Sequence, residues 1–142
     1  MDKKKDLADK LRSSGLRPTK QRLRLAECLF NRSKTFHFTV ENLDKIINKK
    51  GEEKKIALAT IYNTVHAFQK AGHLKEILLK EGKNYFDTNT SSHYHFYDEA
   101  NSELIDIEEN NIELKKIPAP PKGKSIKNVN IIFNIDNDTQ NQ

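Results

Sequence analysis

Three glycines punctuate the first 72 residues of this 142-residue chain, and each closes a stretch with helical spacing of apolar residues. "DKKKDLADKLRSSG" places Leu7 and Leu11 four apart and ends at Gly15, a residue favoured just past a helix end. "FTVENLDKIINKKG" opens on Thr39, a good N-cap, sets Glu41 at the positive end of the helix, and ends at Gly51. "IALATIYNTVHAFQKAG" carries an apolar stripe of Ile61, Val65 and Phe68 and ends at Gly72. A further helix is expected in "RPTKQRLRLAECLFNR", where Pro18 suits a first turn and Leu25 and Leu29 share a face. Then "HLKEILLKEGKNYFDT" reads as two short strands turning at Glu81-Gly82. Helices followed by a small hairpin predict a winged helix-turn-helix.

In the fourth helix Ala59, Tyr62, Asn63, His66 and Lys70 fall opposite the apolar stripe. Short and hydrogen-bonding side chains near a helix N-terminus are what a recognition helix offers to base edges. Asn63 suits adenine, while Ala59 and the Tyr62 ring suit thymine methyls. Charge agrees with this reading. Residues 1–80 hold 19 Lys/Arg against 9 Asp/Glu, whereas residues 81–142 hold 6 against 11. A basic half suits a polyanionic partner, and the acidic half has another task.

The second half reads as strands, "HYHFYD", "ELIDI" and "NVNIIFNI", with "EANS" as a turn between the first two. "NNIELKKIPAPPKG" is read as a short helix broken by its prolines, and the closing "DNDTQNQ" as a frayed polar tail. Three strands are too few to cover both faces of a sheet, so a second copy is expected to supply the cover. His93 and His95, two apart on a strand, project from one face. If "HYHFYD" and "ELIDI" are antiparallel neighbours, Asp106 lies alongside, and Asp87 arrives from the preceding strand. Imidazoles with carboxylates are ligands for Fe²⁺, Mn²⁺ or Zn²⁺, the carboxylates leaning to the harder ions.

The segments "GLRPTKQRLRLAECLF", "FHFTVENLDKII", "ALATIYNTVHAFQKAGHLKEI" and "YFDTNTSSHYHFYDE" occur in an order and spacing that resemble the ferric uptake regulator (Fur) family. The resemblance covers roughly residues 7–107. "TIYNT" and the tail "ELKKIPAPPKGKSIKNVNIIFNI" look most like its iron response regulator branch. It implies an α+β protein: a winged-helix DNA-binding domain over 1–86, a small α/β dimerisation and sensing domain over 87–136, and a tail over 137–142. It also implies a homodimer on A/T-rich, pseudo-palindromic double-stranded DNA, with Arg17, Lys20 and Arg22 at phosphates and Ala59, Thr60, Tyr62 and Asn63 at the bases. To the metal set it adds His37, giving His37, Asp87, His93, His95 and Asp106. In the iron response branch a histidine run is linked to haem; here His93, Tyr94 and His95 stand in its place, and Tyr can ligate haem iron.

Departures from the family pattern carry their own expectations. Asp98, Glu99, Ala100 and Asn101 stand where relatives have Cys-x-x-Cys, and Cys28 is the only cysteine, so the family's four-cysteine structural zinc is expected to be absent. Cys28, followed by Leu29, reads as a small buried hydrophobe. Ser92 and Tyr94 do not supply the family's second metal site.

The function expected is a transcriptional regulator of iron or haem homeostasis that senses a divalent metal or haem. The alternative is a peroxide sensor using Fe²⁺ or Mn²⁺ in the same ligands. A zinc uptake regulator fits less well, since that branch leans on cysteines. A metal-dependent hydrolase lacks a glutamate beside the histidine pair to act as general base, so no enzyme is expected. No apolar run nears the roughly 20 residues that span a bilayer, and the lysine-rich N-terminus has no apolar stretch behind it, so neither membrane nor export is expected and the cytoplasm is.

Overall fold

The glycine-closed stretches are helices, though not all reach their glycine. In the computed structural model, which describes residues 3–51, 54–79 and 82–139, α1 spans Lys3–Ser13, α2 Lys20–Phe30, α3 Val40–Ile47 and α4 Leu58–Lys70. Gly15 and Gly72 follow α1 and α4 at positive φ (84° and 87°), the conformation that turns the chain out of a helix. α3 stops short of Gly51 because Asn48 leaves helical geometry to staple the following loop. Its Nδ2 donates to Asp44 Oδ1 and to the Ile56 carbonyl, and its Oδ1 accepts from the Ile56 N–H, each at 2.7 Å. At the other end Thr39 and Asn42 cap each other reciprocally, Thr39 Oγ1 accepting from Asn42 N–H and Asn42 Oδ1 from Thr39 N–H.

The apolar stripe of α4 faces inward as expected: Ile61, Val65 and Phe68 are fully buried with Leu11, Leu25, Leu29 and Leu43. Each such side chain contributes about 1.5–3 kcal/mol by leaving water, which holds the four helices around one core. Cys28 is half-buried and packs against that core. The hairpin follows as β2 (Lys75–Leu78) and β3 (Asn84–Asp87), antiparallel, with Gly82 at positive φ; Glu81, the other residue expected in the turn, lies outside the described residues. A strand not foreseen, β1 (His37–Phe38), pairs with the other edge of β3, giving the order β1-β3-β2. Two residues are too few to show a period, so only the pairing reveals it.

A second three-stranded sheet has the order β5-β4-β6. β4 (His93–Asp98) and β5 (Glu103–Glu108) are antiparallel, and β6 (Ile132–Ile135), shorter than the apolar run suggested, is parallel to β4. The crossover holds one 3₁₀ turn, Glu109–Asn111, in place of the short helix expected there. Pro118, Pro120 and Pro121 lack N–H donors and push the residues before them to extended geometry, so no helix can propagate. The α+β class holds, with the α-helices described all in the first half. In the tail Asp136 Oδ1 accepts from the Asn137 N–H; Gln140–Gln142 lie outside the described residues.

The chain divides into two compact units, Met1–Thr90 and Ser91–Gln142. Asp87 thus belongs to the winged-helix unit, because β3 is paired on both sides there.

One packing detail carries a pH dependence. His73, half-buried after α4, has its Nε2 2.7 Å from Ser14 Oγ on the α1 side and its ring edge-on to Phe30 and Phe68. Burial, and then the Lys10 charge, lower its pKa from the usual 6.5. The unfolded chain therefore takes up a proton near pH 6.5 while the folded chain still resists it. This contribution to stability is present above pH 6.5 and is lost as pH falls through the lowered folded value. Urea midpoints at about pH 7.5 and about pH 5.5 are expected to differ more in the native protein than in His73→Asn. Equal pH sensitivity of the two would assign the effect elsewhere.

Candidate functional site

His37 and Asp87 face each other across the β1–β3 ladder as Cα partners, and His37 Nε2 lies 3.1 Å from Asp87 Oδ2. The pair is fixed from several sides. Asp87 Oδ1 accepts from the Asn89 N–H at 2.8 Å, and Phe36, next to His37, exchanges hydrogen bonds with Thr88 through its N–H and its carbonyl. Asp87 is completely buried. A buried carboxylate is costly to hold without a cation or hydrogen-bond donors, and here the Asn89 N–H is one such donor and the His37 imidazole lies beside it.

The second group lies on the other sheet. In the antiparallel register His95 is opposite Asp106, the partner expected from the sequence. The pleat turns His93 and His95 to one face, their rings 4.4 Å apart, and Asp106 Oδ1 is 3.4 Å from His93 Nε2 and 3.3 Å from His95 Nε2. His93 Nδ1–H donates to the Ser91 carbonyl at 2.7 Å. In the neutral ring that bond leaves Nε2 as the bare nitrogen, aimed at a carboxylate oxygen. Lone pairs converging on one point are what a cation satisfies, and a backbone carbonyl on the remote nitrogen is the usual way to orient a ligating histidine. The donors present therefore fit a divalent metal ion. Tyr94 pairs with Ile107 and, by alternation, points to the opposite face from His93 and His95. Tyr94 therefore does not join the two histidines around one iron in this arrangement.

The β4–β5 turn is tied by Asp98. Its carboxylate accepts from the N–H groups of Ala100 and Asn101 and from Asn101 Nδ2 at 2.9 Å, and Ser102 takes a positive φ of 52°. The Asn101 side-chain bond, chiefly, holds the Asp98 carboxyl below the usual carboxylate range.

On the helical side, Ala59, Tyr62, Asn63, His66 and Lys70 are all exposed on α4, as the periodicity required. Arg17, Arg22, Thr60 and Asn63 meet around a hollow of about 340 Å³ beside the capped N-terminus of α2, where Thr19 Oγ1 accepts from the Arg22 N–H. Arg22 Nη1 donates to the Arg17 carbonyl at 3.1 Å, which holds that guanidinium at the rim. Lys20 is exposed but outside this lining, and Tyr62 lines a different hollow with His66 and Glu41. In sequence Glu41 is only a favourable charge at a helix start; its contact with Tyr62 joins residues 21 apart, and no local pattern announces it.

The sequence model of the Ferric uptake regulator family matches residues 13–134. The chain belongs to the ferric uptake regulator family. This Fur-family chain is 30% identical over 103 residues to the peroxide operon regulator of Bacillus subtilis, covering 72% of its own length and 68% of that protein. To the peroxide-responsive repressor of Staphylococcus aureus (strain Mu50) it is 31% identical over 98 residues, covering 69% and 64%. Its fold is shared with the Vibrio cholerae ferric uptake regulator (TM-score 0.69, 24% identity, 91% of this chain and 98% of that one). It is shared equally with the Pseudomonas aeruginosa ferric uptake regulator solved with manganese (0.68, 23%, 91% and 96%). Fur-family proteins are transcription regulators, not enzymes, and that removes the hydrolase alternative. No helix among the described residues is long and apolar enough to cross a membrane.

Proposed function

We propose that this chain is a dimeric regulator that reads double-stranded DNA with α4 and responds to one divalent ion held by His37, Asp87, His93, His95 and Asp106. The observation that carries the reading is the convergence of His93, His95 and Asp106, with His93 oriented from behind by Ser91. Three nitrogens and two carboxylates suit Fe²⁺, Mn²⁺ or Zn²⁺. Bound there, the ion supplies positive charge that stabilises one arrangement of the reading heads. His37 and Asp87 are carried by the winged-helix unit, so the state that brings them to the ion is the state that gains population. The gain is limited to the ion's preference for that state.

In the same reading Arg17, Lys20 and Arg22 meet phosphates, and Ala59, Thr60, Tyr62 and Asn63 meet bases. The dimer has a ready surface. Phe96, Ile105 and Phe133 form one cross-strand row on the face of the sheet away from the histidines, and all three are exposed. A second copy covering that row sets two α4 helices on a pseudo-palindrome, and the A/T preference follows from apolar contacts with thymine methyls. A DNA partner implies the cytoplasm as the place of work.

Tyr62→Ala is expected to weaken cognate DNA by about 1–3 kcal/mol and random DNA little. Arg22→Ala is expected to weaken both and to lower the salt slope by about one unit. Anisotropy titrations on the two duplexes at several salt concentrations check this. Equal losses for Tyr62→Ala on both duplexes remove it from the reading face.

A peroxide-responsive mode is the second reading. The curated relatives quoted above are named for peroxide, and the same ligands around Fe²⁺ place an imidazole beside a redox-active ion. The finer assignment to the iron response branch is supported by the tail "ELKKIPAPPKGKSIKNVNIIFNI"; in that reading haem iron would take His93 or His95, since Tyr94 points to the other face of the sheet. DNA binding by the apo, Mn²⁺, Fe²⁺ and haem forms side by side, with mass analysis of histidine oxidation after peroxide, separates the three.

A further inference from the structure

The hydroxyl of Tyr62 is already engaged inside the winged helix. Tyr62 lies on the exposed side of α4, yet its Oη donates to Glu41 Oε1 at 2.7 Å. Glu41 stands in the first turn of α3, on backbone held by the reciprocal Thr39–Asn42 cap, so the acceptor is presented from a fixed base. The ring is held as well. It lies nearly parallel to the His66 imidazole (centroids 6.4 Å, planes 20° apart), and His66 meets Phe86 edge-on at 6.2 Å. Phe86 is a core residue stacked on Phe38, so the aromatic row Tyr62–His66–Phe86 is anchored in the interior. Glu41, Tyr62 and His66 wall a hollow of about 460 Å³ with the hairpin residues Lys83–Phe86. The phenol is kept protonated, its pKa raised first by the bond to Glu41.

An acidic side chain is out of place on a basic DNA-facing surface unless it has a task there. Two follow from its position. A tyrosine fixed at tip and ring loses less conformational freedom when it docks. With its hydrogen given to Glu41, the hydroxyl also has no donor left for base acceptors; it keeps only an acceptor oxygen beside the ring carbons. In addition, the carboxylate repels phosphates and so weakens sequence-independent contact most.

We propose that Glu41 is a positioning and specificity-determining residue of the reading face, which takes the Tyr62 hydroxyl, fixes the ring for apolar base contact, and disfavours random DNA. The proposal rests on the reading of α4 as the DNA-reading helix.

The test uses the full-length Mn²⁺-loaded protein and a duplex that it selects from a random-sequence pool, compared with an unselected duplex of equal length. Glu41→Ala is expected to lower the selected-to-random affinity ratio by about threefold to tenfold, the worth of one hydrogen bond. Tyr62→Phe is expected to lose only the part of that ratio that the bond carries, since it leaves the carboxylate in place. The double variant should lose no more than Glu41→Ala alone, because Tyr62→Phe breaks a contact that Glu41→Ala has already removed. Glu41→Gln keeps an acceptor but not the charge, so it is expected to restore selected-duplex affinity while random-duplex affinity rises. Without DNA, ultraviolet titration of the tyrosines, with Tyr62→Phe to isolate the Tyr62 step, should show Tyr62 ionising at lower pH in Glu41→Ala.

Additive losses in the double variant, an unchanged ratio in Glu41→Ala, or an unmoved Tyr62 titration each overturn the role of Glu41 while DNA reading by α4 stands. A native protein that selects no duplex overturns both.

Discussion

His93→Ala with His95→Ala is expected to abolish the change in DNA affinity that metal produces, and to leave the dimer and its basal DNA contacts intact. The two histidines supply two of the three nitrogens in the proposed set, and both face the Asp106 carboxylate. Removing even one group that merely orients a ligand typically weakens a metal site by about 10–100-fold, so losing two ligands exceeds that range. The fold should bear the change. β4 is held by the backbone ladders to β5 and β6, and the apolar contacts of Tyr97 with Leu104 and of Phe96 with Phe133 remain. Calorimetric Mn²⁺ titration should show no binding in the tight range, operator affinity should match the native apo form, and sedimentation should give the native dimer mass. A metal response that persists in this variant would falsify the assignment of these histidines.

A different outcome is expected for His37→Ala. Four of the five proposed ligands remain, so metal should still bind, though about 10–100-fold more weakly. What is lost is a ligand on the winged-helix unit, together with the imidazole that faces the buried Asp87 at 3.1 Å. Occupancy should then cease to change operator affinity, because an ion that no longer prefers the reading arrangement cannot shift the population towards it. Following occupancy and operator affinity in one titration separates binding from response. A full response in His37→Ala would place the sensing event within the second unit alone. Asp87→Asn, which keeps the shape and removes the charge, distinguishes loss of a ligand from a local packing defect around β1.

Much of this architecture is written locally. Ile61, Val65 and Phe68 recur at helical spacing, and Gly15 and Gly72 supply the positive φ that ends their helices, so neighbouring residues alone determined α1 and α4. Alternation in "HYHFYD" placed His93 and His95 on one face, and the short "EANS" turn required the antiparallel pairing that brings Asp106 opposite His95. Having Cys28 alone, the chain excluded a four-cysteine zinc site before any fold was known. Other features depend on contacts between residues far apart in sequence. β1 has only two residues and exists because Phe36, His37 and Phe38 find Thr88, Asp87 and Phe86 across the ladder. That pairing puts Asp87 in the winged-helix unit and makes His37 its neighbour. Asn48 ends α3 early because Ile56 offers it both a donor and an acceptor, eight residues away. Glu41 and Tyr62 meet only because α3 and α4 pack together, which turned a helix-start charge into the acceptor of the Tyr62 hydroxyl. Periodicity and turn chemistry act over a few residues and are legible in order; register and packing join distant residues, and only the folded chain decides them.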